Sequence, residues 1–76
     1  METQPDKEIL VSIVKHQMPF GKYKGFKLCD LPIHYLEWFA NKVFPEGKLG
    51  MQMRTVYEIK LNGLEDIILQ LKHTIQ

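Results

Sequence analysis

Apolar side chains recur at intervals of three and four residues in four stretches of this chain, and prolines or glycines separate the stretches. This spacing places them on one face of an α-helix. The first stretch predicts a helix from about Asp6 to His16, with the Asp6 side chain capping its first amides and Lys15 near its end, where the helix dipole favours a cation. Four such stripes predict a fold in which helices bury their apolar faces against one another.

Three further helices are predicted after a break in the pattern. The second begins at residues 30–32, with the aspartate as its cap and the proline in its first turn, and ends before residues 44–47. The third runs from residue 48 to 61 and the fourth from residue 64 to 75. Asn62-Gly63 separates these two, and a left-handed helix end at one of its residues is favoured over a hairpin turn because both flanks have the helical period.

The segment between the first two helices does not fit a helix, because Pro19 cannot continue one. Gly21 and Gly25 bracket a short loop, and glycine reaches the positive φ angles that tight turns need. A strand around Met18 to Phe20 and a second around Phe26 to Leu28 are therefore predicted to pair as a hairpin.

These elements predict an α+β fold of about four helices packed with one short antiparallel β-hairpin. A chain of 76 residues accommodates one domain with a modest core, so a single domain over residues 1–76 is expected, with residues 1–5 as a disordered tail. An isolated hairpin is marginal in water, so its apolar side chains must pack on the helices. The side chains expected to pack in this way or in the core are Phe20, Phe26, Leu28, Trp38 and Phe39.

Composition restricts the class of protein. Ten basic and nine acidic residues give a formal net charge of +1, which is too balanced to indicate nucleic-acid binding by itself. The single cysteine, Cys29, cannot form an internal disulfide, which favours a reducing, intracellular setting. The polar start of the chain lacks a signal-peptide apolar region, and no apolar run approaches the roughly 18–20 residues that span a bilayer. A cytoplasmic protein without membrane contact is expected.

The chain offers few groups for catalysis or metal binding. A histidine–glutamate pair on one helix face lacks an evident third ligand, and a lone thiol needs a nearby base to act as a nucleophile. Carboxylates near the joint of the third and fourth helices can bind magnesium if they cluster. In each case a structural role is favoured, and the cysteine is expected to be a half-buried strand residue. No active site, metal or cofactor is therefore expected, and the domain is predicted to be non-enzymatic. These groups are His34 and Glu37; Cys29; and Glu58, Glu65 and Asp66.

The stretch GKYKG, residues 21–25, is the strongest candidate for a functional site. From Lys15 to Lys27 the chain carries four lysines and no acidic residue. Lysines can neutralise phosphates and an exposed aromatic ring can stack on a base, so the pattern favours weak, salt-sensitive contact with DNA or RNA. In the competing interpretation the lysines solubilise a turn and Tyr23 covers the edge of the core. The candidate nucleic-acid-binding residues are Lys15, Lys22, Tyr23, Lys24 and Lys27, with Gly21 and Gly25 shaping the loop.

A second hypothesis makes the domain a protein–protein interaction or homodimerisation module that uses apolar helix faces. A small chain whose residues are 45% hydrophobic can need such burial for stability. The candidate partner-binding residues are Tyr35, Trp38, Ile67, Ile68 and Leu71.

The run MPFGKYKGFKLCDLPIHYLEWFANKVFPEGKLG, followed by YEIKLNGLEDII, resembles a family of small bacterial and phage domains labelled putative quorum-sensing-regulated virulence factors. The resemblance covers residues 18–71, and its most specific elements are the PFGKYKG loop, the LPxxYLxWF helix and the NGLED joint. A shorter version of the first two elements resembles a module appended to proofreading-type exonucleases of the exonuclease X kind. That association implies contact with nucleic acid by analogy.

Overall fold

Four α-helices and one short 3-10 helix form the regular structure of residues 7–75, which are the residues that the computed structural model describes. The predicted cap at Asp6 and the predicted tail at residues 1–5 lie outside the described residues. All four predicted helices are present, with ends within a few residues of those expected. In chain order the elements are α1 (Lys7–Lys15), the 3-10 helix (Leu28–Asp30), α2 (Ile33–Asn41), α3 (Lys48–Leu61) and α4 (Glu65–Ile75).

The core lies where α1 and α3 pack against each other, with α2 against α3 and α4 against α1. All four helices contribute to it, as does the irregular chain on both sides of the 3-10 helix. Within residues 7–75, no helix combines the length and the apolar composition that crossing a bilayer requires. The largest fully buried side chains are Ile13, Met18, Leu28, Leu31, Leu36, Met53 and Val56.

The predicted β-hairpin is wrong, and the fold is all-α rather than α+β. Among residues 7–75 the pairing is limited to an isolated antiparallel bridge between Gln17 and Lys27. Pro19 has no N–H to donate to a ladder. The Phe26 N–H donates at 3.0 Å to the carbonyl of Tyr23 within the loop, so it does not serve a partner strand. The 3-10 helix starts directly after Lys27, and the pairing therefore stops after one bridge.

The second helix begins later than predicted. Pro32 occupies the position before its first residue, Ile33, and Asp30 belongs to the preceding 3-10 helix, so Asp30 does not cap α2. The Asp30 carboxylate instead accepts a hydrogen bond from the Lys72 ammonium at 2.9 Å, which connects the 3-10 helix to α4. Because both side chains are partly exposed, this ion pair stabilises the fold by at most about 1 kcal/mol.

Burial follows the predicted stripes only in part. Leu28 is fully buried and Phe39 packs against the core, as expected. The expected burial of Trp38, Phe26 and Phe20 is wrong, because these side chains are 56%, 48% and 44% exposed. In an α-helix a residue two positions from the buried Leu36 lies about 200° around the axis, so Trp38 faces away from the α2–α3 contact.

The joint between α3 and α4 has the predicted left-handed helix end, and it lies at Gly63, whose φ is +68°. The Leu64 N–H donates to the Ile59 carbonyl at 2.9 Å, and the Gly63 N–H donates to the Lys60 carbonyl at 3.2 Å. This is the hydrogen-bond pattern of a Schellman motif, which satisfies the last carbonyls of α3 and reverses the chain into α4.

A buried polar network between α1 and α3 has no counterpart in the sequence-based predictions. Gln52 is buried, and its Nε2 lies 2.9 Å from Ser12 Oγ and 3.0 Å from His16 Nδ1. The Ser12 hydroxyl in turn donates to the Ile9 carbonyl at 2.8 Å. Because buried polar groups are costly without partners, these bonds favour one register of α1 against α3.

Candidate nucleic-acid interface

The loop at residues 21–25 is a compact turn held by its own backbone. The Lys24 N–H donates to the Gly21 carbonyl at 3.1 Å, and the Gly25 N–H donates to the Met18 carbonyl at 2.9 Å. Gly21 and Gly25 have φ angles of +81° and +92°, the left-handed conformations that the sequence predicted for them. Lys22 and Lys24 are both exposed on this turn, so their ammonium groups are available to a ligand.

Gly21 is also the point where the loop approaches α2. A Cβ atom at this position would lie 3.1 Å from the hydroxyl oxygen of Tyr35. Glycine therefore allows both the backbone conformation and the contact between the loop and the helix.

Tyr23 is half-buried and anchors the loop on α2. Its ring centroid lies 4.6 Å from that of Tyr35 and 5.2 Å from that of Phe26, in edge-to-face arrangements that aromatic pairs favour. The Lys22 ammonium lies 5.7 Å from the Tyr23 ring centroid, within cation–π distance. The tyrosine therefore covers the edge of the core while the lysines beside it remain exposed.

Lys15 and Lys27 meet at the end of α1. The Lys27 ammonium donates to the Lys15 carbonyl at 3.1 Å, and Lys15 is the last residue of that helix. A cation at a helix C-terminus satisfies an unpaired carbonyl and is favoured by the helix dipole. Lys27 therefore has a structural partner as well as an exposed charge, and both lysines lie at the base of the segment that carries the loop.

Ring-to-ring contacts continue from the loop along α2 and form what we call the aromatic row. Successive centroids from Phe26 to Trp38 are 4.6–5.2 Å apart. The two ends of the row are its exposed members, and Phe26 was not among the predicted site residues. Its place between Gly25 and Lys27, residue types common in exposed loops, was the available signal in the sequence. In order of contact, the row consists of Phe26, Tyr23, Tyr35, Phe39 and Trp38.

A cleft of about 310 Å³ lies beyond the row, between the α2–α3 connection and the start of α3. Phe44 stacks on Phe39 with a centroid distance of 6.4 Å, and the Arg54 guanidinium lies 5.5 Å from the Phe44 ring centroid. The cleft is open and mainly apolar. Its lining includes Val43, Phe44, Pro45, Gly50, Met51 and Arg54.

The residues predicted for partner binding do not form one surface. Tyr35 is half-buried within the aromatic row, whereas Trp38 is exposed at its end. On α4, Ile68 lies in the core and Leu71 packs against it, which leaves Ile67 as the exposed member of that predicted set. Among the side chains whose burial is described, the other exposed large apolar ones of α3, α4 and their joint are Met51, Leu61, Leu64 and Leu69.

Cys29 is buried in the 3-10 helix, so its predicted place as a half-buried strand residue is wrong. Burial raises the pKa of its thiol, and the neighbouring Asp30 carboxylate, 3.8 Å from the sulfur, raises that pKa further. The thiolate is the nucleophilic form, so this environment disfavours reaction at neutral pH. In the described part of the chain, histidine, cysteine and acidic side chains do not come together in groups of three that could hold a metal ion.

We expect the stability of the fold to decrease in alkaline solution. Burial raises the pKa of the Cys29 thiol and of the Tyr35 hydroxyl, and the hydrogen bond to Asp30 raises the pKa of the Lys72 ammonium. Each group binds its proton more tightly in the folded state. Its contribution to the free energy of unfolding is therefore complete below its ordinary pKa and is lost as the pH rises through its pKa in the folded protein. The lowest ordinary value is 9.0, that of the cysteine.

Urea unfolding at a series of pH values measures this effect. The midpoint should be nearly constant between about pH 7 and 8 and should fall above about pH 9. In Cys29→Ala the decrease should begin at higher pH, because the tyrosine has an ordinary pKa of 10.0 and the lysine of 10.5. A midpoint that rises with pH across this range would contradict the expected sign.

Comparison with known proteins connects this loop-bearing helical domain to a family. Residues 6–71 match the family described as "Putative quorum-sensing-regulated virulence factor". The chain is 49% identical over 71 residues to "Uncharacterized protein YpeB" of Escherichia coli K12, covering 92% of this chain and 99% of the relative. The protein of the same name in Escherichia coli O157:H7 matches to the same extent. No solved structure significantly matches the chain.

The chain therefore belongs to this family, and the family resemblance found in the sequence is confirmed. The match includes the GKYKG loop, all of α2 and α3 and the joint to α4.

Proposed function

We propose that this protein is a non-enzymatic accessory domain that contacts nucleic acid through the loop at residues 21–25. The observation that carries the proposal is the exposure of Lys22 and Lys24 on a turn whose backbone is held by hydrogen bonds and whose tyrosine is anchored on α2. A preorganised loop loses little conformational entropy when its charges meet a ligand.

The lysines at the end of α1 extend the proposed surface. Lys15 and Lys27 lie at the base of the loop segment, and no acidic residue occurs in the sequence between them. Each phosphate that a lysine neutralises releases a counterion, so four such contacts give a slope of about −3 to −4 for log K against log salt. The surface has few groups that can read base edges, so little sequence preference is expected.

Two further points support the proposal. The PFGKYKG loop and the LPxxYLxWF helix resemble the module appended to exonuclease X-like enzymes, which is support by analogy. The burial of Cys29 and the raised pKa of its thiol favour a binding role over nucleophilic catalysis.

The double variant Lys22→Ala/Lys24→Ala tests the proposed contact. We expect it to bind DNA roughly tenfold more weakly or worse at low salt and to reduce the salt slope by about 2, because two phosphate contacts are removed. Fluorescence anisotropy of labelled single- and double-stranded DNA, at low and near-physiological salt, measures both quantities.

A matched control removes the same charge elsewhere. Lys7 and Lys48 are exposed first residues of α1 and α3, and Lys7→Ala/Lys48→Ala has the same net charge as the loop variant. If both double variants lose affinity equally, the binding depends on net charge and the loop is not its site. If the wild type does not bind DNA even at low salt, the proposal is wrong.

Protein–protein interaction is a second candidate function, and the exposure of large apolar side chains favours it. Leu61, Leu69 and Trp38 are 57%, 53% and 56% exposed, which is typical of surfaces that a partner covers. In this hypothesis a second copy of the chain buries Leu61 and Leu69. Sedimentation over a range of concentrations should then show a dimer that Leu61→Lys/Leu69→Lys dissociates. A monomer at every concentration would contradict homodimerisation.

A further inference from the structure

We infer that the nucleic acid this domain takes is single-stranded, with unpaired bases stacking on the exposed ends of the aromatic row, Phe26 and Trp38. The inference rests on the proposed function and adds the form of nucleic acid and two binding residues. Lys22 and Lys24 then contact phosphates beside Phe26, while Trp38 contacts a base farther along the strand.

Successive ring contacts connect these groups. Phe26 packs edge-to-face on Tyr23, and the Lys22 ammonium lies over the Tyr23 ring. The exposed phenylalanine therefore lies beside the charged loop. Tyr23 in turn contacts Tyr35 on α2, and the contacts continue through Phe39 to Trp38. The three inner rings of the row are half-buried, so a strand that runs from the loop to the tryptophan would follow partly exposed aromatic rings.

The polar surroundings of Trp38 suit a phosphate backbone. Residues four apart are neighbours on a helical surface, so His34 lies one turn before Trp38 on the same face of α2. The Lys42 N–H donates to the Trp38 carbonyl at 3.2 Å, which places this exposed lysine directly after the helix. Glu37 lies about 100° away around the axis, so its carboxylate is on a different face.

The exposed aromatic rings favour a single strand over a duplex as the ligand. In a duplex the bases stack on one another and their faces are covered, so a protein reaches mainly phosphates and base edges. In a single strand each base has a face that can stack on an aromatic side chain, with little dependence on sequence. Lysines alone would serve either form, whereas the exposure of Phe26 and Trp38 beside them favours the single strand.

Trp38 provides a direct readout, because it is the only tryptophan of the chain. Its fluorescence should be quenched when the whole protein is titrated with a short single-stranded thymidine oligonucleotide at low salt. A duplex of the same length should cause little quenching. In anisotropy measurements the single strand should bind at least tenfold more tightly than the duplex.

Variants separate stacking from charge. Trp38→Ala and Phe26→Ala should each weaken single-strand binding by roughly 5- to 100-fold and leave duplex binding nearly unchanged. Leu64→Ala, which truncates an apolar side chain of similar exposure at the α3–α4 joint, is the matched control and should change neither. Circular dichroism establishes that each variant remains helical.

The outcomes distinguish this inference from the proposed function. Equal affinities for the two forms, with no quenching of Trp38 but with dependence on Lys22 and Lys24, would overturn the single-strand inference and leave the loop contact intact. Absence of binding to either form would overturn both. If Trp38 fluorescence is quenched as the protein self-associates and not when oligonucleotide is added, the surface binds a second copy of the protein and the inference is overturned.

Discussion

Leu36→Ala is expected to lower the free energy of unfolding by about 2–5 kcal/mol, the range for truncating a buried leucine. Of the residues of α2, all of which are described, Leu36 alone is buried, and it is fully inaccessible to solvent. Removing its side chain leaves a cavity where α2 packs on α3 and takes away the main anchor of the helix that carries Tyr35 and Trp38.

Urea unfolding monitored by circular dichroism measures this loss. A domain of this size has a total stability of only roughly 4–11 kcal/mol, so the variant should unfold at a much lower urea concentration. Ile33→Ala is the control on the same helix, because Ile33 is 39% exposed and should lose less than about 1 kcal/mol. Equal midpoints for the two variants would contradict the assigned role of Leu36.

Gly50→Ala is the second substitution with a large expected effect, and its sign is the reverse of the usual one. In a helix interior, alanine is favoured over glycine by about 1 kcal/mol. At position 50, however, a Cβ atom would overlap the carbonyl oxygen of Pro45, which is a backbone atom and cannot rotate away. We therefore expect a net destabilisation of roughly 2–3 kcal/mol, since overpacking costs more than the helix propensity returns.

The same substitution should change the cleft beside Phe44. To admit the methyl group, the α2–α3 connection has to move away from α3, and Phe44 and Arg54 line the cleft between them. Thr55→Ala, farther along α3 where the side chain is half-buried, controls for general effects of alanine in this helix. If Gly50→Ala unfolds at the same or a higher urea concentration than the wild type, the close approach to Pro45 does not constrain the fold.

Sequence patterns predicted the helices well because the determinants of a helix are local. The three- and four-residue spacing of apolar side chains predicted α1 to α4, and Asn62-Gly63 predicted the left-handed end of α3 through glycine's conformational freedom. The hairpin prediction failed because the pairing stops after one bridge. A strand pair needs a ladder, and the loop at residues 21–25 uses the Phe26 N–H internally while the 3-10 helix follows at once.

The sequence predicted the loop of the candidate site but did not predict the surface around that loop. Exposed Lys22 and Lys24, and the positive φ angles of the glycines beside them, agree with the pattern GKYKG. Burial of Trp38 was favoured over its exposure as a partner-binding residue, because an aromatic residue near an apolar stripe is more often buried, and the structure leaves it exposed. The contact that Lys27 makes with the end of α1 joins residues twelve positions apart, and no pattern within either segment predicts it.

By itself, the sequence determined the number and approximate ends of the helices, the glycine-bracketed lysine loop and membership of the family. These depend on spacing, backbone preference and motif, which are properties of short segments. The tertiary structure alone decided which faces of the helices are covered. It left Phe26 and Trp38 exposed, buried Gln52 between α1 and α3, and brought Pro45 against Gly50. Burial depends on what the neighbouring helices cover, and that is set by packing among segments distant in the chain.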